Sequence, residues 1–499
     1  MVNIGTLLLG FVSGLTLVWC ATAIFRKFAP GLGLVAVANF RSSHIGTVPV
    51  AGGVTFVVIS PLIALFIANQ IDVHLERSDW ALLVSGWFIA IVSLIDDWKP
   101  LPARVRLVTQ FWAVLGLIIY ARYLRFFGAG SFGVVDVGWL GVLITIVWVL
   151  GMSNAFNFMD GMDGLVAGQS LIVSLSVAWM SMSVGLDWMA ILSASLGGGL
   201  LGFFMHNVSP ARVFMGDVGS IWLGFLFSGM AVIGAPRSGE RLSLGFWVLI
   251  LGIFLLDSGL TLGRRLLQGE PVLEAHRTHY YQRLLSIGWG HGRVTTWYLV
   301  MATILAGVSI VHFDIWRLPF VVLVVVGLMA FAGTFALVHY VESYKVEFES
   351  EHGSPLGKVT AGGLLKPFVR LLQHSGTVLM MDGAVVVIAY LIAFRLGVGN
   401  WFDIDIRDGI IAVFFVHLTL NLALGIYIEK LSLSRLSLIW RILSSCLMSF
   451  IALLLGEILL GPVRSIPITV LIIGTGMSAL GFVLVRSLRA SQQERFIKD

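Results

Sequence analysis

The chain has 499 residues, of which 58% are hydrophobic and only 12% charged, with a mean hydropathy of +0.95. An ordinary soluble domain carries about a quarter of its residues as charges, so a soluble globular fold is excluded and an all-α, polytopic membrane protein is expected. The formal net charge of +5 would suggest nucleic acid in a soluble chain. Here the basic residues gather in connections between apolar runs, where they orient the spans, and no nucleic-acid partner is expected.

Runs long enough to cross the hydrocarbon core are expected near 4–25, 48–69, 80–95, 105–121, 139–153, 165–184, 188–205, 214–234, 244–262, 294–311 and 318–340, then near 377–394, 409–428, 438–455 and 466–485. The first lacks a basic start and an obvious cleavage site and is followed by Arg26 and Lys27, which reads as a retained span. About 15 spans follow. The N-terminus is expected outside and the C-terminus cytoplasmic, because that orientation leaves most Lys and Arg inside. The division expected is an eleven-span core over 1–340, a cytoplasmic linker over 341–376 and a four-span accessory membrane domain over 377–499. Cys20 and Cys446 both fall in apolar runs, where neither a structural disulfide nor a zinc site is expected.

The connection after the first span carries Arg41, Ser42, Ser43 and His44, and PVAGG (Pro49–Gly53) opens the second. Proline is tolerated at a helix start, and the glycines permit close backbone approach. The third span ends in IDDWKP, followed by Arg104 and Arg106. Asp96 and Asp97 there oppose the dipole of their own helix, so a divalent cation or a nearby arginine is expected to hold them. In NAFNFMDGMDGLVAG, Asn154, Asn157, Asp160 and Asp163 recur at intervals of three. On a helix they would share one face and aim amides and carboxylates at one site. HNVSPARVFMGDVGS sets Asp217 between Gly216 and Gly219, with Ser220 able to cap the following turn. By the expected orientation all five carboxylates meet the cytoplasmic face. The basic connection 263–293 carries EAHRTHYYQRL, where His276, Arg277, His279 and Arg283 suit phosphate better than zinc.

Taken in order, PVAGG, LIDDWKP, NAFNFMDGMDGL, FMGDVGS and HRTHYYQRL closely resemble the polyprenyl-phosphate N-acetylhexosamine-1-phosphate transferase family, which also includes phospho-N-acetylmuramoyl-pentapeptide transferase. The resemblance covers residues 1–340. It implies transfer of a sugar 1-phosphate from a UDP-N-acetyl amino sugar to undecaprenyl phosphate, with Mg2+, at the cytoplasmic face of a bacterial inner membrane. It also implies that Asp96, Asp97 and Asp217 are catalytic, with Asp217 and Asp97 on the metal. His44, Asn154, Asn157, Asp160, Asp163, His276, Arg277, His279 and Arg283 would bind substrate. The HRTHYYQ wording resembles the branch that initiates O-antigen more than the muramoyl-pentapeptide branch. The C-terminal spans resemble in part the membrane anchor of polysaccharide-biosynthesis sugar dehydratases, but no GxGxxG fingerprint follows them, which points to a docking module for another glycan-assembly enzyme, the alternative being a lipid-facing appendage that stabilises the core. The partners expected of the protein are a second copy, as a homodimer, or glycan-assembly enzymes. From the residues alone a transporter competes, since it also uses intramembrane carboxylates and glycine-interrupted helices. A membrane scaffold is the third reading, and it has no need of Asp217 between two glycines.

Overall fold

A computed structural model of the chain describes residues 2–37, 47–121, 123–128, 134–238, 241–267, 270, 278–286, 288–315, 381–397, 404–423, 435–460 and 466–496. The described chain is helical apart from short strands. It divides into two compact units, one formed by Met1–Phe127, Asp136–Ser258 and Gly290–Arg317, the other by Gly128–Val135, Gly259–Trp289 and Leu318–Asp499.

The helices, in chain order, are α1 (Ile4–Phe28), α2 (Val54–Gln70), α3 (Arg77–Trp98), α4 (Ala103–Ala121), α5 (Leu140–Met159), α6 (Leu165–Ser183), α7 (Asp187–Asn207), α8 (Asp217–Arg237), α9 (Leu244–Ile250), α10 (Gly252–Leu267), α11 (Tyr280–Ser286) and α12 (His291–Ile310), followed by α13 (381–397), α14 (Ile404–Ala423), α15 (Arg435–Leu460) and α16 (Ile468–Phe496). Among the described residues nine helices are long and apolar enough to cross a membrane, or ten if α9 and α10, bent by 81° at their junction, count as one span. The chain is therefore an all-α polytopic membrane protein. Of the other expected spans, α2 is a shorter apolar helix, while the run near 318–340 and the linker 341–376 lie outside the described residues.

In the first unit α8 is the central element, with 94% of its apolar stretch buried. Trp222, Phe225, Leu226 and Phe227 are all within it and at most 1% exposed. α1 lies at the lipid-facing side, with Leu8, Leu9, Val12 and Ile24 exposed, and its other face is zipped to α7. A Cβ on Gly14 would collide with the Ser195 carbonyl, and one on Gly198 with the Phe11 carbonyl. Such close backbone approach is the usual route to helix association in lipid, where no hydrophobic drive operates between helices. The ends of the seam are tied as well: Val2 N donates to Asp187 Oδ1 at 3.1 Å, and His206 Nε2 meets the Trp19 carbonyl at 3.2 Å.

A short antiparallel ribbon, β1 (Val35–Val37) with β2 (Thr47–Pro49), pairs Val35 with Pro49 and Val37 with Thr47. It delivers PVAGG to the start of α2. The second unit contains α13 to α16, whose interior carries the Asp382–Arg486 ion pair, a Tyr390–Thr475 hydrogen bond of 2.7 Å and a Ser445–Asn421 hydrogen bond of 2.6 Å.

Replacing Gly198 by Ala is expected to cost about 1–3 kcal/mol, the usual range for overpacking, because its obstacle is backbone. Gly197→Ala, whose Cβ would meet Ser174 Cβ at an ordinary 3.4 Å, is expected to be close to neutral. Thermal unfolding of both variants in detergent checks the contrast.

Candidate active site

The expectation of one polar helical face over Asn154–Asp163 needs correction. α5 ends at Met159, Asp160 is its C-terminal cap, and Gly164 takes a left-handed conformation (φ 74°) to start α6. Glycines at 161 and 164 let the chain turn here, so the four polar residues part company. Asn154 Nδ2 donates to Gln110 Oε1 (2.8 Å) and to the Leu150 carbonyl (2.7 Å). Asp163 Oδ2 accepts from Ala211 N at 3.1 Å, its carbonyl accepts from Thr295 Oγ1 at 2.8 Å, and His291 Nδ1 lies 3.8 Å from its Oδ1. Asp163 thus fastens the α5–α6 turn to the α7–α8 connection and to α12. Only Asn157 and Asp160 turn toward the other carboxylates.

These meet where the C-terminus of α3 abuts the N-terminus of α8. Asp97 Oδ1 accepts from Asp217 N (2.9 Å) and Oδ2 from Val218 N (3.0 Å), so the carboxylate sits on the positive end of the α8 dipole. Asp96 is 8% exposed. It accepts from Leu101 N at 2.5 Å through Oδ1 and from Arg106 Nη1 at 3.0 Å through Oδ2. The same Nη1 reaches Asp217 Oδ2 at 3.1 Å, while Asn157 Nδ2 donates to Asp217 Oδ1 at 2.7 Å. One guanidinium therefore holds two carboxylates. Ser220 Oγ, 3.4 Å from Asn157 Nδ2, completes the first turn of α8.

PVAGG supplies the floor beneath this turn. Gly52 N and Gly53 N donate to the carbonyls of Phe214 and Met215, both at 2.9 Å, and Phe214 N donates to the Pro49 carbonyl at 2.8 Å. Gly53 approaches so closely that a Cβ there would lie 2.6 Å from the Cα of Gly219. Gly216 has φ +76°, and a Cβ on it would lie 2.5 Å from Asp97 Oδ2. Gly53 is thus required by the approach of one backbone to another, and Gly216 by its positive φ and the approach of the Asp97 carboxylate.

The family pattern named glycosyl transferase family 4 matches residues 80–235. The chain is 29% identical over 286 residues to a probable undecaprenyl-phosphate N-acetylglucosaminyl 1-phosphate transferase of Bacillus subtilis, covering 57% of this chain and 79% of that one. It is 30% identical over 339 residues to the decaprenyl-phosphate N-acetylglucosaminephosphotransferase of Mycolicibacterium smegmatis, covering 60% and 83%. A phospho-N-acetylmuramoyl-pentapeptide-transferase of Moorella thermoacetica is 30% identical over 273 residues, covering 52% and 82%. The chain belongs to glycosyl transferase family 4.

The glycosyl transferase family 4 match runs from the first turns of α3 to the end of α8 and so contains every residue of the cluster, from Asp96 to Ser220. Among the described residues no group of three or more His, Cys, Asp and Glu side chains is arranged to hold an ion. His44, His276 and Arg277 lie outside the described residues. His279 and Arg283 belong to the second unit, where His279 stacks on Tyr281 (centroids 5.8 Å apart, planes at 21°) and the Arg283 guanidinium lies 4.9 Å from the Tyr280 ring centroid.

Arg106 is the residue that site assignment from the sequence left out, although it stands ten positions after Asp96 in the first turn of α4. A cation just past an acidic pair was the available signal. Gln110 and His291 had none, because each acts through a partner distant in sequence.

Burial, then the charges of Asp217 and Asp97, push the Asp160 carboxyl well above the ordinary carboxylate range. The folded protein therefore holds this proton to higher pH than the unfolded chain, and stability falls as pH rises from the ordinary range through the raised value. Without divalent cations, Asp160→Asn is expected to gain thermal stability over the parent as buffers go from mildly acidic to mildly alkaline. A thermal-shift series across that range checks it, and a pH-independent difference would contradict the charge origin.

Proposed function

We propose that this family 4 protein transfers an N-acetylated amino-sugar 1-phosphate from a UDP-sugar to undecaprenyl phosphate, giving a lipid-diphosphate sugar and UMP, and so starts O-antigen or another surface polysaccharide. The observation that carries the reading is the gathering of Asp96, Asp97 and Asp217, with Arg106 and Asn157, at the ends of four helices. A transporter would be expected to line a midplane path instead. The relatives are named as polyprenyl-phosphate sugar-phosphate transferases, which supports both the lipid acceptor and the amino-sugar donor.

Both substrates are anions, and catalysis of phosphoryl transfer consists largely of positioning them and stabilising charge on the equatorial oxygens. An oxygen of the acceptor phosphate attacks the β-phosphorus of the donor in line, and the bond from that phosphorus to the UMP oxygen breaks. The attacking phosphate is nucleophilic at neutral pH, so Asp96 or Asp97 serves to orient it or to take up its remaining proton. Arg106 keeps Asp96 and Asp217 from repelling each other and presents a planar fork of donors suited to phosphate.

The donor set is hard oxygen, the kind Mg2+ takes with one or two carboxylates, substrate phosphates and water. Asp217 is the proposed ligand, aided by Asp97, whose carboxylate retains about two of its four acceptor positions after the two amide bonds. Bound there, Mg2+ would offset phosphate charge as a Lewis acid. His44, His276, Arg277, His279 and Arg283 are proposed donor or acceptor contacts. The clustered helix ends are proposed to face the cytoplasm from a bacterial inner membrane, in the 15-span arrangement with the N-terminus outside. Residues 377–499 are proposed as an accessory domain that docks a glycan-assembly enzyme or a second copy.

The test is purified protein with undecaprenyl phosphate, Mg2+ and a panel of UDP-N-acetyl amino sugars, scored for UMP and lipid product. Asp217→Asn is expected to lower turnover by about 10²-fold or more, the scale of losing one charge-stabilising group, while thermal stability is retained. Mg2+-dependent turnover near the parental rate would reject the ligand role.

A further inference from the structure

We propose that Arg237 is a positioning residue for the Asp96–Asp97–Asp217 cluster, acting from the opposite end of the α3–α8 pair. The two helices run antiparallel and are joined at both ends. At the cluster end, Asp97 near the last turn of α3 takes the first amides of α8. At the far end, Arg237 in the last turn of α8 reaches back to the start of α3. Its Nη1 donates to Asp79 Oδ1 at 3.0 Å, and its Nη2 to Glu76 Oε2 and Ser78 Oγ. Asp79 is 3% exposed and is held further by a reciprocal capping box, its side chain accepting from Glu76 N at 2.9 Å. The anchor is thus rigid on the α3 side.

Between the ends the contact is close and apolar. A Cβ on Gly229 would strike Leu82, and one on Gly86 would lie 3.1 Å from Trp222 Nε1. These contacts, Leu82 over Gly229 and Trp222 over Gly86, set the distance between the axes, while the directional bonds at Arg237 set position along them. Each residue advances a helix by about 1.5 Å, so a slip of a single residue would carry the α8 amides out of reach of Asp97. Because the helices are stiff rods, the axial position chosen at Arg237 is the one delivered to Asp217, about 30 Å away at that rise. An error of about 1 Å at reacting groups can cost roughly 10²-fold in rate.

The inference rests on the transferase reading for its kinetic arm alone. Arg237→Gln is the direct variant. Because it leaves Asp79 buried without its cation, a second variant, Arg237→Leu with Asp79→Asn, removes both charges and keeps an acceptor for the capping box. The first measurement is hydrogen exchange in detergent-solubilised full-length protein. Both variants are expected to exchange the amides of Asp217 and Val218 at least about tenfold faster than the parent, with exchange in the middle of α3 and α8 unchanged. The second is steady-state turnover, in which kcat is expected to fall about 10- to 100-fold with the KM for the UDP-sugar within about threefold, and Arg237→Lys to restore part of it. Parental exchange at Asp217 and Val218 in the double variant would overturn the proposal, as would uniformly faster exchange along both helices, which is the mark of a general loss of stability. A parent protein that transfers no sugar phosphate would refute the function proposed above, while the exchange measurement would still decide whether Arg237 sets the position of α8.

Discussion

The cluster depends on one interaction, the carboxylate of Asp97 seated on the first two amides of α8. Two adjacent acids at the end of α3 oppose that helix's own dipole, and a charge pair so placed needs compensation. Asp97 finds it in the N-terminus of a second helix, where unpaired N–H groups and the positive dipole end both favour an anion. Asp96 finds it in Leu101 N and Arg106. The arrangement makes α8 inseparable from α3 at this point. It also dictates glycine at 216, where the positive φ and the nearness of Asp97 Oδ2 leave no room for a side chain.

The remaining groups are arranged around that junction by separate elements. Arg106 comes from the first turn of α4, Asn157 from the last turn of α5 and Ser220 from the first turn of α8. Side chains on helix ends are held more firmly than side chains on loops, and a constellation assembled from several such ends can be positioned closely. PVAGG contributes no functional side chain. Its backbone pairs with 214–215, and its glycines allow α2 to support the turn that carries Asp217.

Much of this was legible in the sequence. Composition and apolar run length pointed to the nine or ten spans found among the described residues, and α3, α4, α6 and α8 begin and end close to the expected positions because the runs are bounded by charges, prolines or glycines. The acidic pair and the Gly-Asp-Val-Gly turn were recognisable for the same reason, since charged or backbone-exposing residues at a membrane boundary have few bland explanations. The three-residue interval of Asn154, Asn157, Asp160 and Asp163 misled because it presumed a continuous helix. Gly161 and Gly164 end it, and Asp163 is turned to Ala211 N instead. An arginine beside the acidic pair was readable, but its sharing with Asp217 was not, because that depends on Asp217 lying beside Asp96, a contact across 111 residues of chain for the arginine itself.

The seam between α1 and α7 bears on how the protein is made. Val2 and Asp187, which close one end of it, are 185 residues apart. At a synthesis rate of about 5–20 residues per second, the first helix resides in the bilayer for roughly 10–40 s before its partner has been translated. Gly10 and Gly14 on its inward face bare no polar side chain to lipid, and Thr22 farther along that face finds Thr55 of α2 (3.0 Å) long before α7 is made. Biogenesis of this unit therefore has a built-in order, in which α2 joins α1 well before α7 completes the seam.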